Sequence, residues 1–195
     1  GKSELVKHFF NGRKWIYFLP SKAVKEEQLR QFSSAVSHQL GIQFEELKPD
    51  WEVFFKKLVG MDERLAVVID EFPFLVESDA SLPSAFMRIS DLYLKDSKLF
   101  IVLTGSSIGM MEELMSYKSP LYGRRTGQWK LEPMRFQHAI KFFKFASFES
   151  KIENYSIAGG VPFYLGLLGK QSVFENIYDN ILGKGGLLNE EAEFL

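Results

Sequence analysis

Three uninterrupted apolar runs, at 15–19, 65–69 and 99–103, stand out in the N-terminal part of the chain. Such runs are typical of β-strands that are covered on both faces, as in a parallel sheet. The segments between them carry apolar residues at the three- and four-residue spacing of amphipathic helices. This alternation of strands and helices predicts an α/β fold.

Five helices are predicted around these strands, and capping residues mark several of their ends. Ser21 and Asp50 are expected to be the N-caps of the second and third helices, since their side-chain oxygens can accept from free backbone N–H groups. Gly41 is expected to end the second helix. The predicted helices cover 3–10, the stretch between Ser21 and Gly41, 51–58, 83–94 and 109–115.

The pattern changes toward the C-terminus. A short strand is expected over 128–131, but from Phe136 onward the apolar positions show helical spacing only. Helical stripes are predicted at 136–143, at 152–157 and from Pro162 onward. We therefore place a domain boundary near Glu132-Pro133, with an α/β domain over 1–132 and a small all-helical domain over 133–195.

The composition narrows the range of functions. A chain of 195 residues accommodates one α/β domain with a small addition, and a net charge of −1 gives no strong basic field for nucleic acid. No apolar run approaches the roughly 20 residues of a membrane helix. The chain has no cysteine, which excludes disulfides and a cysteine nucleophile and fits a reducing, cytoplasmic location. The three histidines, His8, His38 and His138, share no metal-ligand spacing.

The two ends of the chain lack ordinary start and stop signals. The chain begins with Gly1-Lys2-Ser3, without a methionine, and 190–195 still follow a helical pattern. We interpret the chain as an interior part of a longer protein. The alternative is a start that is processed at Gly1.

The first candidate motif is Gly1-Lys2-Ser3, which opens a predicted helix. Phosphate-binding loops of the form GxxxxGK[ST] end in this way, because a helix N-terminus offers free N–H groups to phosphate. In such loops the lysine contacts the β- and γ-phosphates and the serine hydroxyl is a ligand of Mg²⁺. Taken alone, three residues favour the plainer interpretation, which is an arbitrary helix start.

Polar residues follow the second and third apolar runs. Asp70 and Glu71 end the second run, and in nucleotide hydrolases such a pair holds the Mg²⁺ shell and polarises the attacking water. Thr104 and Ser106 follow the third run, at the strand end where open α/β sheets bind ligands. The alternatives are two solvated acids and an N-capping turn for the next helix.

An arginine pair and a glycine turn complete the set. Arg124 and Arg125 adjoin a glycine turn, and either suits a phosphate as an arginine finger in cis or in trans, because guanidinium binds phosphate bidentately. The alternative is a solvated basic turn. Gly160 and Pro162 form a tight turn at a helix start, which could contact adenine or build a corner between two helices.

Taken in order, these motifs and their surroundings resemble one family. The matching segments are GKSELVKHFF, GRKWIYFL, LAVVIDEFPFLV, LFIVLTGSSIGMM, SPLYGRRTG, LEPMRF and YSIAGGVPFYL. They run in family order over essentially the whole chain and are specific as a set. The chain resembles the archaeal-type ATPase family, in the STAND/AAA+-related branch of P-loop NTPases.

The resemblance implies an ATPase that uses ATP with Mg²⁺, and it assigns roles to the motifs. It makes Gly1, Lys2 and Ser3 the end of the Walker A loop and Asp70 and Glu71 the Walker B pair, with Ser3 and Asp70 around Mg²⁺ and Glu71 as the base. It places Thr104 and Ser106 in the sensor region, Arg124 and Arg125 at the arginine-finger position, and Gly160 and Pro162 in a nucleotide-contacting turn of the helical lid.

The resemblance also implies a parallel P-loop sheet in the order 5-1-4-3-2, with helices on both faces, followed by the helical lid. The first strand of that sheet and the first Walker A glycine are missing from this chain. Since the phosphate-binding loop then loses most of its N–H donors, we expect residues 1–195 alone to bind ATP poorly and the full-length parent to bind it.

Three functions follow from these observations. ATP hydrolysis that drives a partner domain is preferred, and a nucleotide-gated switch with negligible turnover is second. Nucleic-acid binding by the chain itself is third, because its charge is nearly neutral. The expected partners are ATP or ADP and the family's C-terminal region, which is often winged-helix or nuclease-like and could bind DNA. An arginine that acts in trans would require an oligomer.

Overall fold

The computed structural model describes residues 1–42, 50–144, 147–168 and 172–189. The chain divides into two compact units, Lys2–Gln128 and Trp129–Leu195. The first unit contains the sheet, and the described part of the second is helical. The helical pattern expected for 190–195 lies outside the described residues.

Three parallel strands form the sheet of the first unit. They are β1 (Trp15–Phe18), β2 (Leu65–Ile69) and β3 (Leu99–Leu103), in the spatial order β1-β2-β3. Trp15 pairs with Ala66, and Leu65 pairs with Leu99. The predicted parallel α/β arrangement is confirmed, and the order matches the consecutive 4-3-2 part of the sheet that the resemblance implies.

Six helices accompany this sheet in the described part of the first unit: α1 (Lys2–Phe10), α2 (Lys25–Leu40), α3 (Trp51–Val59), α4 (Phe72–Ser78), α5 (Leu82–Ile89) and α6 (Ile108–Leu114). A π-helical turn, Ser90–Leu94, continues α5, so the helix predicted over 83–94 is present with a wider last turn. Gly41 ends α2 with a left-handed φ of 69°. Asp50 caps α3 by accepting the N–H of Glu52 at 2.9 Å.

Helices cover both faces of the sheet. Alternate residues of β2 point to opposite faces, and they pack in two separate cores. Leu65 and Ile69 belong to the larger core, which they form with α2, α3, α4 and α5. Ala66 and Val68 pack with Phe10 of α1 in a smaller core on the other face. All five residues of β2 are buried, which explains why its sequence shows no polar alternation.

The N-terminus of α2 differs from the prediction. The helix begins at Lys25 after the N-cap Val24, so the expectation that Ser21 caps it is wrong. Ser21 lies in the preceding loop, where its carbonyl oxygen accepts from the side-chain amide of Gln28. Gln28 is buried, and this bond ties the loop to the first turns of the helix.

Two further segments differ from the prediction. The strand expected over 128–131 does not form. Trp129 is 85% exposed and Leu131 is also exposed, so the apolar side chains that suggested a strand contact no core. Helix α4 has no counterpart in the sequence prediction, because seven residues show little periodicity and Pro73 near its start resembles a turn signal.

The described part of the second unit consists of short helices: α7 (Phe136–Ala139), α8 (Phe148–Ala158), α9 (Pro162–Leu167) and α10 (Val173–Ile177), with a 3₁₀ turn at Ile140–Phe142 and a π-helical turn at Tyr178–Leu182. Ala139, Phe143, Ala158, Leu165 and Leu168 form its core. The helical character predicted for this part is confirmed. Across the described residues of both units, no helix combines the length and apolar character needed to span a bilayer.

Phe32 is the centre of an aromatic cluster in the larger core. Its ring centroid lies 5.2 Å from that of Trp51, 5.3 Å from that of Phe18 and 5.8 Å from that of Phe55. Phe32→Ala is expected to lower the free energy of unfolding by about 3–5 kcal/mol, because the packed neighbours cannot fill the cavity. Urea denaturation followed by tryptophan fluorescence measures this loss. Leu92→Ala, at an exposed position, is the control, and equal losses in both variants would contradict the prediction.

Candidate functional site

The carboxyl ends of β2 and β3 lie beside each other and next to the start of α1. Asp70 directly follows β2, and Thr104 directly follows β3. The sheet pattern continues for one residue, since the N–H of Asp70 donates to the carbonyl of Phe18 at 2.9 Å and that of Thr104 donates to Ile69 at 3.0 Å. Both side chains are therefore fixed at the edge where open parallel sheets bind ligands.

The carboxylate of Asp70 is the centre of this edge and accepts three side-chain hydroxyl groups. Ser3, the second residue of α1, and Tyr17 of β1 both donate to Oδ2 at 2.6 Å. Thr104 donates to Oδ1. Asp70 is only 3% exposed, so these hydroxyl groups replace water around its charge.

These hydrogen bonds decide the charge of Asp70. Burial alone would raise the pKa of its carboxyl group, but the bonds from Ser3, Thr104 and Tyr17 hold that pKa below its ordinary value. Burial, together with the bond to Asp70, raises the pKa of the Tyr17 phenol. At neutral pH the site therefore presents a carboxylate surrounded by neutral hydroxyl groups.

Glu71 is adjacent in sequence but has different partners. Its backbone is left-handed, with φ 55° and ψ 46°, which is uncommon for a residue other than glycine. Its carboxylate accepts the backbone N–H of Ser106 at 2.9 Å and also the Ser106 hydroxyl. Lys2 Nζ donates to the Ser106 hydroxyl oxygen at 3.3 Å. Lys2, Ser106 and Glu71 thus form a hydrogen-bonded chain that occupies both carboxylate oxygens of Glu71.

The start of α1 suits an anion. The first N–H groups of this nine-residue helix have no partner within the helix, and they carry the positive end of its dipole. Gly1 precedes the helix, is exposed, and has no atom within 4 Å of the position that a Cβ would take. A phosphate could therefore approach the backbone closely at this point.

The site also offers ligands that suit Mg²⁺. The Ser3 hydroxyl and the Asp70 carboxylate both offer hard oxygen ligands to a metal ion, and Ser3 Oγ lies 2.6 Å from Asp70 Oδ2. Among the described residues, no three His, Asp or Glu side chains form a cluster that could hold a metal ion. Two protein ligands, as in the Ser3–Asp70 pair, suit an ion that is held mainly by phosphate oxygens and water, as Mg²⁺ commonly is.

Arg124 and Arg125 differ in their contacts. Arg124 Nε and Nη2 donate to the two carboxylate oxygens of Asp91 at 2.9 and 2.8 Å, and Nη1 donates to the carbonyl of Pro120 at 2.8 Å. This pairing lowers the pKa of the Asp91 carboxyl group. Arg125 is exposed and donates to the carbonyl of Met115 at 3.2 Å. The guanidinium of Arg124 is thus bound within the fold on three sides. Arg125 makes one described bond, so its other N–H groups are available to a ligand.

Gly160 and Pro162 lie in the second unit, where each has a local structural role. The N–H of Met134 donates to the carbonyl of Gly160 at 2.7 Å, and a Cβ on Gly160 would overlap the backbone of Pro133 and Met134. Pro162 is the first residue of α9, where its missing N–H costs no hydrogen bond. The corner between α8 and α9 therefore explains why a glycine and a proline stand at these two positions, and the explanation needs no bound ligand.

A family model supplies the decisive comparison. The model of an ATPase domain found predominantly in Archaea matches residues 1–168. That span includes the cluster around Asp70, both arginines and the Gly160 turn. The chain belongs to this family.

One relative of this archaeal ATPase domain is similar over the whole length of the chain, and a second is similar over part of it. An uncharacterized protein of Methanocaldococcus jannaschii is 37% identical over 196 residues, which cover 100% of this chain and 43% of that protein. A second uncharacterized protein of the same organism is 37% identical over 46 residues, or 24% of this chain and 45% of that protein. A Walker-type ATPase of Pyrococcus abyssi shares the fold, with a TM-score of 0.72 at 21% identity over 100% of this chain and 67% of that one. The chain thus spans less than half the length of the first relative.

The ATPase domain brings together the residues expected at its strand ends and helix start, namely Lys2, Ser3, Asp70, Glu71, Thr104 and Ser106. Their individual roles stay predictions. Tyr17 also belongs to this site, although the sequence analysis missed it because it lies within the apolar run 15–19. A signal was available, since a tyrosine in a buried strand needs a partner for its hydroxyl group.

Asp70→Asn tests the hydroxyl cluster of the ATPase domain. It is expected to lower the free energy of unfolding by about 1–3 kcal/mol at neutral pH, because the amide offers one acceptor oxygen to three donors. The folded pKa of Asp70 lies below the unfolded value of about 3.9, so its stabilising effect is complete above that pH and is lost on further acidification. The difference between wild type and variant should therefore shrink below about pH 4.

Urea denaturation of both proteins across this pH range measures the difference. Asp96→Asn, at an exposed turn position, is the control and should leave the free energy of unfolding nearly unchanged. A difference for Asp70→Asn that stays constant with pH would contradict the role given to its charge.

Proposed function

We propose that this chain is an ATP-binding and ATP-hydrolysing domain that depends on Mg²⁺. The hydrogen-bonded cluster of Ser3, Asp70 and Thr104, with Glu71 beside it, is the observation that carries the proposal. A hydroxyl at a helix start, a carboxylate and a second acid at one edge of a parallel sheet are the groups that hydrolysis of a nucleotide phosphate requires. Membership of the ATPase-domain family supports nucleotide binding.

Lys2, Gly1 and the start of α1 bind the phosphates in this proposal. Lys2 Nζ lies 3.3 Å from the Ser106 hydroxyl, and its flexible side chain can turn from there to β- and γ-phosphate oxygens. The free N–H groups of the first turn add hydrogen bonds to the same charge. Ser3 and Asp70 would hold Mg²⁺, which supplies neutralisation of phosphate charge when bound.

Glu71 is proposed to be the general base that polarises the attacking water. Each of its carboxylate oxygens accepts one hydrogen bond from Ser106 and keeps a further lone pair, and release of Ser106 would leave both oxygens fully open to the attacking water. A γ-phosphate that attracts Lys2 and the Ser106 hydroxyl would weaken this contact. Nucleotide binding and activation of Glu71 are then coupled through Ser106, while Thr104 keeps Asp70 in place.

A nucleotide-gated switch with negligible turnover is the second candidate function. The contact between Ser106 and Glu71 favours it, because the two bonds from Ser106 compete with the attacking water for the acceptor sites of the carboxylate. Bound nucleotide would then only select a conformation. In either function a cytoplasmic STAND- or AAA+-like parent would pass the nucleotide state to its C-terminal region, and through it to DNA.

Arg125, rather than Arg124, is the proposed arginine finger. Its described contact is one bond to a backbone carbonyl, and an exposed guanidinium can leave such a bond to reach a phosphate. Arg124 would have to break a bidentate ion pair with Asp91. If Arg125 acts on the nucleotide of a neighbouring copy, the active form is an oligomer.

Glu71→Gln separates the two candidate functions. In the full-length protein it is expected to lower kcat for ATP hydrolysis by about 10²–10⁴-fold, since the amide cannot accept a proton, while nucleotide affinity is retained. Lys2→Ala should instead weaken nucleotide binding. Phosphate release and binding of a fluorescent ATP analogue measure the two effects. Glu77→Gln, at an exposed position of α4, is the matched control. Wild-type protein that binds ATP without measurable turnover would favour the switch.

The two arginines are expected to respond differently to alanine. Arg125→Ala should lower kcat by at least about tenfold with little change in the free energy of unfolding, since its role is in the transition state. Arg124→Ala should mainly lower the free energy of unfolding, with a smaller effect on kcat, because it leaves the Asp91 carboxylate without its partner. Turnover and urea denaturation of both variants measure this. The reverse pattern would identify Arg124 as the finger.

A further inference from the structure

Tyr17 is the hydroxyl donor to Asp70 to which the proposed function gives no role. It lies on β1 opposite Val68 of β2, and its phenol donates to Asp70 Oδ2 at 2.6 Å. The same oxygen accepts from Ser3 at 2.6 Å, whereas Thr104 bonds to the other oxygen. The position of Oδ2 therefore depends on Tyr17 and Ser3 together.

The strand β1 is held on both edges around Tyr17. On one edge the residues next to Tyr17 bond to the neighbouring strand, as where the Asp70 N–H donates to the Phe18 carbonyl at 2.9 Å. On the other edge the side-chain amide of Gln39, near the end of α2, accepts the Tyr17 N–H at 2.9 Å and donates to the Tyr17 carbonyl at 3.0 Å. A single side chain thus takes the place of a neighbouring strand at this residue. A shift of Tyr17 would break its own bonds to Gln39 and strain the bonds that its neighbours make to β2.

The ring of Tyr17 also contacts its surroundings. Its centroid lies 6.0 Å from that of Trp15 in an edge-on arrangement, and the ammonium of Lys7 lies 5.9 Å from the ring centroid. The phenol oxygen is therefore held in place by both the backbone and the ring contacts. Its bond to Oδ2 transmits this fixed position to the carboxylate of Asp70.

The direction of the Ser3 lone pairs follows from that position. A serine hydroxyl has one proton and two lone pairs. Because the Ser3 proton points at Asp70 Oδ2, the lone pairs of Ser3 point away from the carboxylate and are available to a cation. If Oδ2 moved, the Ser3 hydroxyl would rotate with it.

We propose that Tyr17 is a positioning residue for the Mg²⁺ site: its phenol fixes Asp70 Oδ2, and Oδ2 in turn orients the Ser3 hydroxyl toward the metal ion. This inference rests on the proposed function. Hydrogen bonds to metal-site carboxylates from outside the ligand shell commonly contribute a factor of about 10–100 to metal affinity. A purely structural phenol would stabilise the fold and leave the Mg²⁺ requirement unchanged.

Tyr17→Phe in the full-length protein separates these roles, since it removes only the hydroxyl group. Binding of a fluorescent ATP analogue is measured in EDTA and over a Mg²⁺ titration. Mg²⁺ tightens binding of the analogue, and the Mg²⁺ concentration at half of this effect should rise about tenfold in the variant. The affinity for the analogue in EDTA should change less than about twofold. Tyr117→Phe, at an exposed tyrosine of the same unit, is the matched control and should match wild type.

Gln39→Ala is the second variant, and it keeps the phenol while it releases the backbone of Tyr17. Its half-maximal Mg²⁺ concentration should rise about threefold, between wild type and Tyr17→Phe. Folded variants with the wild-type Mg²⁺ requirement would overturn the positioning role, even if their free energies of unfolding were lower. Wild-type protein whose nucleotide affinity does not respond to Mg²⁺ would overturn the proposed function itself, and the positioning role with it.

Discussion

The buried carboxylate of Asp70 connects parts of the fold that are far apart in sequence. Its three hydroxyl donors come from the start of α1, from β1 and from the residue after β3. A buried charge is tolerated only where such donors replace water. The strand order and the position of α1 must both be correct for Asp70 to stay charged. The architecture and the candidate chemistry therefore depend on the same set of hydrogen bonds.

Two adjacent acids serve two separate networks at this edge. Asp70 faces neutral hydroxyl groups, whereas Glu71 is linked through Ser106 to the ammonium of Lys2. The left-handed backbone at Glu71 separates the directions of the two side chains. One acid is thereby buried and fixed, and the other is kept near a cation in a position from which it can be released. This division fits the roles proposed for the two acids, which are to hold a metal ion and to activate water.

The parts of the fold and of the site that could be predicted are those that leave a local pattern in the sequence. The three strands are apolar runs, and Asp50 and Gly41 mark helix ends, so these elements were accessible to sequence reasoning. The meeting of Ser3, Asp70 and Thr104 follows from the rule that parallel strands present their carboxyl ends together. The tyrosine at position 17 signals a need for a hydrogen-bond partner, but the identity of that partner was not accessible, because Asp70 lies 53 residues away. The ion pair between Arg124 and Asp91 could not be predicted either, because the two residues lie 33 positions apart and meet only in the folded chain.

The positive φ of Glu71 has a consequence for how this protein can change. Among the described residues, only Asp62 shares that backbone region without being glycine. Holding a glutamate there costs on the order of 1 kcal/mol, which a glycine would not incur. Glycine at this position would avoid that backbone cost, but it would also remove the carboxylate and its two bonds from Ser106. The backbone at this position therefore favours glycine, whereas the role proposed for Glu71 needs its carboxylate, so stability and the proposed catalysis make opposing demands on one residue.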